Sequence, residues 1–201
     1  PLRIPSEITV RTQSAVRIAI APYVVAYVPA GRRSPHDLFS AKHVAELHKL
    51  IEQVLAAEAP IHISLLTRRV AAYFGVAKPS SEIAARIAEV GGDVFAACWE
   101  PNVVWRRDQQ SYDLPAVRVA ASNPQTKRDV AQVPLMEIAA AIRVVVERAP
   151  GLTATDLVRE AAKLLGFARF TADVKARIER GLEVATFANA VAVVAGRVAL
   201  P

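Results

Sequence analysis

The sequence predicts a helix-dominated α+β protein made of two copies of one small unit, and a duplication is the first observation behind this prediction. Residues 59–87 and 150–178 align without a gap at an offset of 91 residues, so that Gly75 falls on Gly166. Apolar residues in both copies recur with the period of a helix, which is the second observation. A repeat at one fixed offset indicates a duplicated supersecondary unit. Other identities at this offset include Glu46 and Glu137, Ile51 and Ile142, Val54 and Val145, Leu66 and Leu157, and Arg86 and Arg177.

The first element of each copy is an amphipathic helix. Apolar residues recur at the spacing of one helical face up to about residue 58, and again over residues 138–146. The first set is Leu47, Leu50, Ile51, Val54 and Leu55. We expect these faces to be buried in the core of each copy.

Glycine and capping residues mark the second and third helices. A short extended link at residues 60–63 leads to the second helix, which Gly75 ends in the first copy and Gly166 in the second. Glycine suits these positions because it readily takes the left-handed conformation that follows a helix. Ser80 and Thr171 are good N-caps and predict the start of the third helix in each copy.

A β-hairpin is predicted to close each copy. Alternating apolar residues predict two strands over residues 93–107 with a turn at 101–102, and a second hairpin over residues 183–198 that turns near Asn189. Helix, short strand, helix, helix and hairpin is the order of the winged helix, a variant of the helix-turn-helix. We therefore predict tandem winged-helix repeats, each with three helices and a β-hairpin.

The predicted boundaries place the first copy at residues 41–108 and the second at 134–201, joined by a connector at 109–133. Residues 1–40 are expected to form an extended segment that follows an upstream domain. The chain starts at Pro1, and its single methionine lies far inside it, so we expect it to be an excerpt of a longer polypeptide.

Three stretches of the extended segment are typical of strands, namely residues 8–10, 16–18 and 23–28. The connector contains another extended stretch at residues 115–119. We expect it to pair with the strand at 23–28 and to tie the copies together.

Composition narrows the classes of function. The single cysteine, Cys98, excludes an internal disulfide, and the four histidines lack the spacing of a metal site. His62 and Ser64 resemble a catalytic pair, but the second copy has threonines at the matching positions, so we expect no catalysis here. No apolar stretch has the length of a membrane span. We expect a cytoplasmic chain without enzyme activity, metal, cofactor or membrane partner.

The net charge of +6 raises the question of nucleic-acid binding, but the excess is spread along the chain. In a winged helix the third helix enters the major groove and the hairpin touches the backbone. The resulting candidates for DNA contact are Lys78, Ser80, Arg86, Arg106 and Arg107 in the first copy and Arg169, Lys175, Arg177 and Arg180 in the second.

Arg86 and Arg177 also have a structural interpretation. Each follows an acid by four residues on the predicted third helix, Glu82 and Asp173 respectively, and such pairs commonly stabilise helices. Lys78 and Arg169 are the better candidates for DNA contact, because they match each other in the loop before the third helix.

Three segments of the chain carry a resemblance to a known family: APIHISLLTRRVAAYFGVAKPSSEIAARI, RDVAQVPLMEIAAAI and DLVREAAKLLGFARFTADVKARI. Together they resemble the uncharacterised domain at the carboxy terminus of very large bacterial superfamily I helicases that also carry a restriction-endonuclease-like nuclease domain. The resemblance implies a parent protein that uses ATP to move on DNA. This chain has no GxxxxGK[ST] loop, so ATP binding is expected elsewhere in that parent.

The leading hypothesis is a non-catalytic accessory module that contacts the backbone of duplex DNA weakly and without sequence preference. The alternative is an interaction scaffold that packs on the upstream helicase and nuclease domains or on a second copy of the chain. A free-standing enzyme is a third hypothesis. A continuous basic face would favour the first, and an exposed apolar face would favour the second.

Overall fold

The computed structural model describes residues 17–96, 98–111 and 113–201. The chain divides into two units: the first unit is Val24–Ser111, and the second unit combines the residues up to Tyr23 with those from 112 onward. Within the described residues, no helix combines the length and the apolar character that crossing a membrane requires. The finer boundaries predicted for the repeats and the connector stay predictions.

The elements follow one another in a helix-dominated α+β order. In chain order they are β1 Ile20–Pro22, α1 Val44–Glu58, β2 Ile61–His62, α2 Ile63–Tyr73, α3 Ser81–Val90, β3 Phe95–Ala96, β4 Val103–Arg106, β5 Val117–Val119, α4 Leu135–Arg148, α5 Ala154–Leu164, α6 Ala172–Phe187, β6 Ala192–Val194 and β7 Arg197–Ala199.

The first unit packs its three helices, α1 to α3, beside a small sheet. Strand β4 lies between β2 and β3 and is antiparallel to both, with Ile61 opposite Val104. The apolar stripes predicted from the sequence meet in one core, and Ile51, Leu66 and Phe74 are fully buried there. Burial of these stripes is the main source of stability for so small a unit.

The second unit is built around α4, which is buried along most of its length and packs against both α5 and α6. Strand β1 pairs in parallel with β5, and β6 pairs with β7 as an antiparallel hairpin. Outside the named strands, Thr153 forms an antiparallel bridge with Arg197 of β7. This bridge lies at the position that corresponds to β2 of the first unit.

The duplication predicted from the sequence recurs in the structure. The starts of α1, α2 and α3 reappear 91 residues later as the starts of α4, α5 and α6. Gly75 and Gly166 both have positive φ, of 71° and 89°, as expected for residues that end α2 and α5. Each unit therefore repeats the order of helix, extended link, helix, helix and hairpin.

The second hairpin differs from the prediction. The sequence placed it over residues 183–198 with a turn near Asn189, but residues 183–187 belong to α6, and the hairpin spans residues 192–199 with its turn at Ala195 and Gly196. The reason lies in two glycines. In the first unit Gly91 and Gly92 end α3, whereas the second copy has Leu182 and Glu183 there, so its helix continues.

The strand predicted at residues 23–28 also needs correction. Strand β1 lies earlier, at Ile20–Pro22. It pairs with β5, which lies in the extended stretch of the connector that was expected to pair with residues 23–28. Tyr23 still donates its backbone N–H to the carbonyl of Val119, at 2.7 Å. Beyond it, the backbone N–H of Ala26 donates to the buried carboxylate of Glu58 instead of to a strand. The strand predicted at 8–10 lies outside the described residues, as does residue 16, and residues 17–18 are not in a strand.

Candidate nucleic-acid interface

The third helix of each unit begins at a hydroxyl cap. Oγ of Ser80 accepts the backbone N–H of Ile83 at 3.4 Å, and Oγ1 of Thr171 accepts that of Val174 at 3.3 Å. Both caps confirm the prediction from the sequence. They also place the residues just before α3 and α6 beside the positive end of a helix dipole, which favours an anion.

Arg86 takes a different partner from the predicted one. Its guanidinium pairs with Glu89 at 2.9 Å, three residues on, instead of with Glu82. Glu82 lies in the first turn of α3, where the exposed amides and the helix dipole already stabilise a carboxylate. The Arg86 side chain is mostly buried, so its role in the first unit is structural.

Arg177, the counterpart of Arg86, also holds the fold together. Its Nη2 donates to the backbone carbonyl of Val133 at 2.8 Å, which joins α6 to the segment that precedes α4. The hydrogen bond links residues far apart in the sequence, and no local pattern indicates it.

Three further candidate residues for DNA contact already form ion pairs with neighbouring acids. Arg106 binds Asp108 through two hydrogen bonds, which raise the pKa of the arginine and lower the pKa of the carboxyl. Arg180 pairs with Glu183, and Lys175 lies 3.7 Å from a carboxylate oxygen of Glu179. These ion pairs are exposed and therefore weak, but a phosphate would have to compete with them.

The remaining cationic candidates are Lys78, Arg107 and Arg169. All three are exposed, and none makes an ion pair within the part of the chain that the structure describes. Glu82 follows Lys78 by four residues, and Asp173 follows Arg169 in the same way. Because both cations lie in loops before a helix, that spacing does not bring the charges together as it does within a helix.

The outward face of α3 is acidic. Its exposed residues are Ser81, Glu82, Ala85, Ala88 and Glu89. This face offers no Asn, Gln or free Arg for reading base edges, and its carboxylates would repel phosphates. In the first unit, contact with DNA would therefore be limited to the segments that flank α3.

A loop of the first unit adds one cation that sequence analysis did not select. The backbone N–H groups of Gly31, Arg32 and Arg33 donate to the carbonyls of Ala72 and Tyr73, at 2.8 to 3.1 Å. The bonds satisfy carbonyls that the end of α2 leaves open. These hydrogen bonds also hold the exposed Arg32 at the carboxy-terminal end of α2. The chain continues from this end of the helix to Lys78. The only sequence signal was a pair of arginines in a loop.

Arg33, the residue after Arg32, binds the carboxylate of Glu46. Its Nε lies 3.0 Å from one oxygen of that carboxylate, and the hydroxyl of Tyr73 donates to the other oxygen at 2.5 Å. These hydrogen bonds lower the pKa of Glu46 and raise the pKa of Tyr73. Glu46 thus ties the loop, α1 and α2 together.

The residues considered for catalysis have structural positions. Nδ1 of His62 accepts the backbone N–H of Ser64 at 3.2 Å and lies 2.8 Å from its hydroxyl, so His62 caps α2. Cys98 is half-buried, and burial raises the pKa of its thiol. Among the described residues, no three His, Cys, Asp or Glu side chains form a group that could hold a metal ion.

One comparison with known proteins bears on this part of the chain. A family of unknown function, DUF3320, matches residues 36–85. The match covers α1, α2 and the first half of α3, and includes Lys78 and Ser80. Searches of the curated proteins and of the solved structures found no match.

Proposed function

We propose that the chain is a pair of winged-helix modules that contacts the backbone of duplex DNA weakly and without sequence preference. In this proposal it is a non-catalytic accessory part of a cytoplasmic DNA helicase. The repeated order of helix, extended link, helix, helix and hairpin supports the winged-helix assignment. The bridge between Thr153 and β7 supports it further, because it repeats the pairing of β2 with β4.

One observation carries the proposal of DNA contact. Lys78 and Arg169 occupy matching positions before the third helix of each unit, and both are exposed and unpaired within the described residues. The helix dipole that begins just after each of them adds to the attraction for a phosphate. Arg32 and Arg107 add positive charge to the first unit.

The same surface explains why the contact should be weak and insensitive to sequence. Phosphate contacts position a protein on DNA, but base contacts are needed to read sequence. Glu82 and Glu89 on the outward face of α3 disfavour entry into the major groove. Because the contacts are with phosphates, the affinity should fall as the salt concentration rises. It should be low at physiological ionic strength, since few free cations lie beside the third helices within the described residues.

The link to a helicase has two supports. The sequence resembles the carboxy-terminal domain of large superfamily I helicases, and the matched family, DUF3320, is known in helicase-associated proteins. ATP hydrolysis and nuclease chemistry would then belong to upstream domains of the parent. Those domains are the expected protein partners of this chain.

Fluorescence anisotropy with a labelled duplex at low salt tests the proposal. The double variant Lys78→Glu, Arg169→Glu should weaken binding at least about tenfold for every duplex sequence, since two phosphate contacts become repulsive. The logarithm of its affinity should also depend less steeply on that of the salt concentration, with a slope smaller by about two. Circular dichroism checks that the variant is folded.

The matched control is Lys49→Glu, Lys127→Glu, which makes the same change in net charge. Both lysines are exposed and unpaired within the described residues, and neither flanks a third helix. Equal loss of affinity in the two double variants would show that only net charge matters. Failure of the native chain to bind any duplex at low salt would refute DNA contact.

A specific observation favours a second candidate, the interaction scaffold. Val24 and Tyr27 of the first unit are strongly exposed apolar side chains, and the outward face of α3 is acidic. Exposed aromatic residues are enriched at protein interfaces. Sedimentation velocity of the chain, alone and mixed with the upstream domains, tests this candidate. An association that Tyr27→Ser abolishes would support it, and a monomer that binds neither itself nor those domains would exclude it.

A further inference from the structure

A partly exposed aromatic ring lies under an arginine at the turn before α6. Phe170 is 36% exposed, and the guanidinium carbon of Arg159 on α5 lies over its ring, 5.7 Å from the centre. Arg169, the preceding residue, is exposed. Neither arginine makes an ion pair within the described residues. A partly exposed hydrophobic ring thus lies under one arginine, and a second exposed arginine precedes it in the chain.

The first unit has no such ring at the matching place. The counterparts of Arg159, Arg169 and Phe170 are Arg68, Lys78 and Pro79. The cations are thus repeated, but the ring belongs to the second unit alone. The cations alone suit phosphates, whereas an added aromatic face suits a planar, uncharged group.

The turns that follow α2 and α5 also differ in which parts of the chain lie against them. A side chain added at Gly75 would meet the backbone carbonyl of Arg33 at 3.7 Å, because the loop of residues 31–33 lies against the end of α2. A side chain added at Gly166 would meet no atom within 4 Å. In the second unit the space beside Gly166, where the turn that leads to Phe170 begins, is therefore open.

We propose that this turn binds single-stranded DNA, with an unpaired base stacked on Phe170 and its phosphates held by Arg159 and Arg169. Proteins that bind single strands without sequence preference combine a positive surface with exposed aromatic rings, since every base has a face that can stack. The guanidinium over the ring adds a cation–π contact and a second planar surface. A polyanion with planar bases complements both the charge and the ring.

The inference rests on the proposed function and adds a division of labour to it. The first unit, with Lys78 and Pro79, would contact only the backbone. The second unit would also hold an exposed base, which duplex DNA does not offer in its interior. A module of this kind suits a junction where duplex and single strand meet.

Two substitutions at Phe170 test the inference in the 201-residue chain. Phe170→Ala should lower the affinity for a short oligothymidylate about tenfold, since one stacked base is lost, and should leave the affinity for a duplex unchanged. Phe170→Trp should retain the affinity. The added tryptophan should also be quenched by the oligonucleotide beyond any quenching of Trp99 and Trp105 in the native chain.

The matched control is Phe187→Ala. Phe187 ends α6 and is 44% exposed, and no cation lies over its ring within the described residues. This variant should bind single strand and duplex as the native chain does. Circular dichroism and thermal unfolding should show that both alanine variants are folded, because the replaced rings are partly exposed.

Three outcomes distinguish this inference from the proposed function. If the chain binds duplex but Phe170→Ala binds the oligothymidylate as tightly as the native chain, the stacking site is refuted and backbone contact stands. Equal losses with Phe170→Ala and Phe187→Ala would also refute it. If the native chain binds neither the duplex nor the oligothymidylate at low salt, both the stacking site and the backbone contact are refuted.

Discussion

The guanidinium carbon of Arg128 lies 4.3 Å from the centre of the Tyr23 ring, within the second unit. Arg118 approaches the same ring at 5.1 Å, and both arginines donate to the carboxylate of Glu137, which is fully buried at the start of α4. The residues come from three separate segments of the chain. The cluster therefore fastens β1 and the connector to α4, and its counterpart around Glu46 does similar work in the first unit.

Replacing Glu137 by Gln should destabilise the second unit by about 3–5 kcal/mol, because two mostly buried arginines would lose their counter-charge. Urea unfolding followed by circular dichroism measures this loss. Glu46→Gln is the matched control at the corresponding position. Its loss should be much smaller, since Glu46 and Arg33 are partly exposed and solvent screens the pair. An equal loss in the two variants would contradict this account.

The same carboxylate should make stability depend on pH. Burial alone would raise the pKa of Glu137, but the hydrogen bonds and charges of Arg128 and Arg118 lower it below its ordinary value of 4.5. A carboxyl with a lowered pKa contributes stability above the unfolded value and loses it as the pH falls through the folded value. The stability difference between the native chain and Glu137→Gln should therefore be constant at neutral pH and shrink below a pH of about 4.5. A difference that does not change down to pH 3 would oppose this assignment.

The two cores should respond alike to loss of a buried leucine. Leu66 and Leu157 are both fully buried at matching positions of α2 and α5, and replacing either by Ala should cost about 2–5 kcal/mol. The two tryptophans, Trp99 and Trp105, both lie in the first unit, so their fluorescence reports its unfolding, while circular dichroism follows the helices of both. Leu66→Ala should lower the denaturant midpoint of the unfolding transition followed by tryptophan fluorescence. A loss below about 1 kcal/mol at either site would show a core that repacks easily.

A side chain at Gly181 should destabilise the second unit. A Cβ atom at this position of α6 would lie 2.2 Å from Cγ2 of Ile138 on α4. Gly181→Ala should therefore cost about 1–3 kcal/mol through overpacking, even though alanine favours helices. Shortening the opposing side chain in the double variant Gly181→Ala, Ile138→Ala should cost less than the sum of the two single losses. Simple additivity in denaturant unfolding would argue against close contact.

Local signals were sufficient to locate most of the helices. Ser80 and Thr171 cap the third helix in each unit, and Gly75 and Gly166 end the second, as predicted. The apolar spacing of α1 also identified core residues such as Ile51. These predictions held because a cap, a positive φ and an apolar stripe act within one or two turns of the chain.

The second hairpin depended on a weaker local signal. Alternation of apolar residues after Glu183 suited a strand, but residues 183–187 extend α6, which packs along α4. The absence of the glycine pair that ends α3 was visible in the alignment of the two copies. Tertiary packing overrides such a short alternating pattern because burial outweighs strand propensity.

Only the fold decided the partners of several important charges. Arg86 binds Glu89 instead of Glu82, Arg177 binds a carbonyl 44 residues away, and Arg128 meets Tyr23 across more than a hundred residues. The candidate site narrowed to Lys78, Arg107 and Arg169 only when these partners were known. An ion pair or a stacked ring requires two groups within a few ångströms, and the sequence spacing of distant groups does not specify that distance.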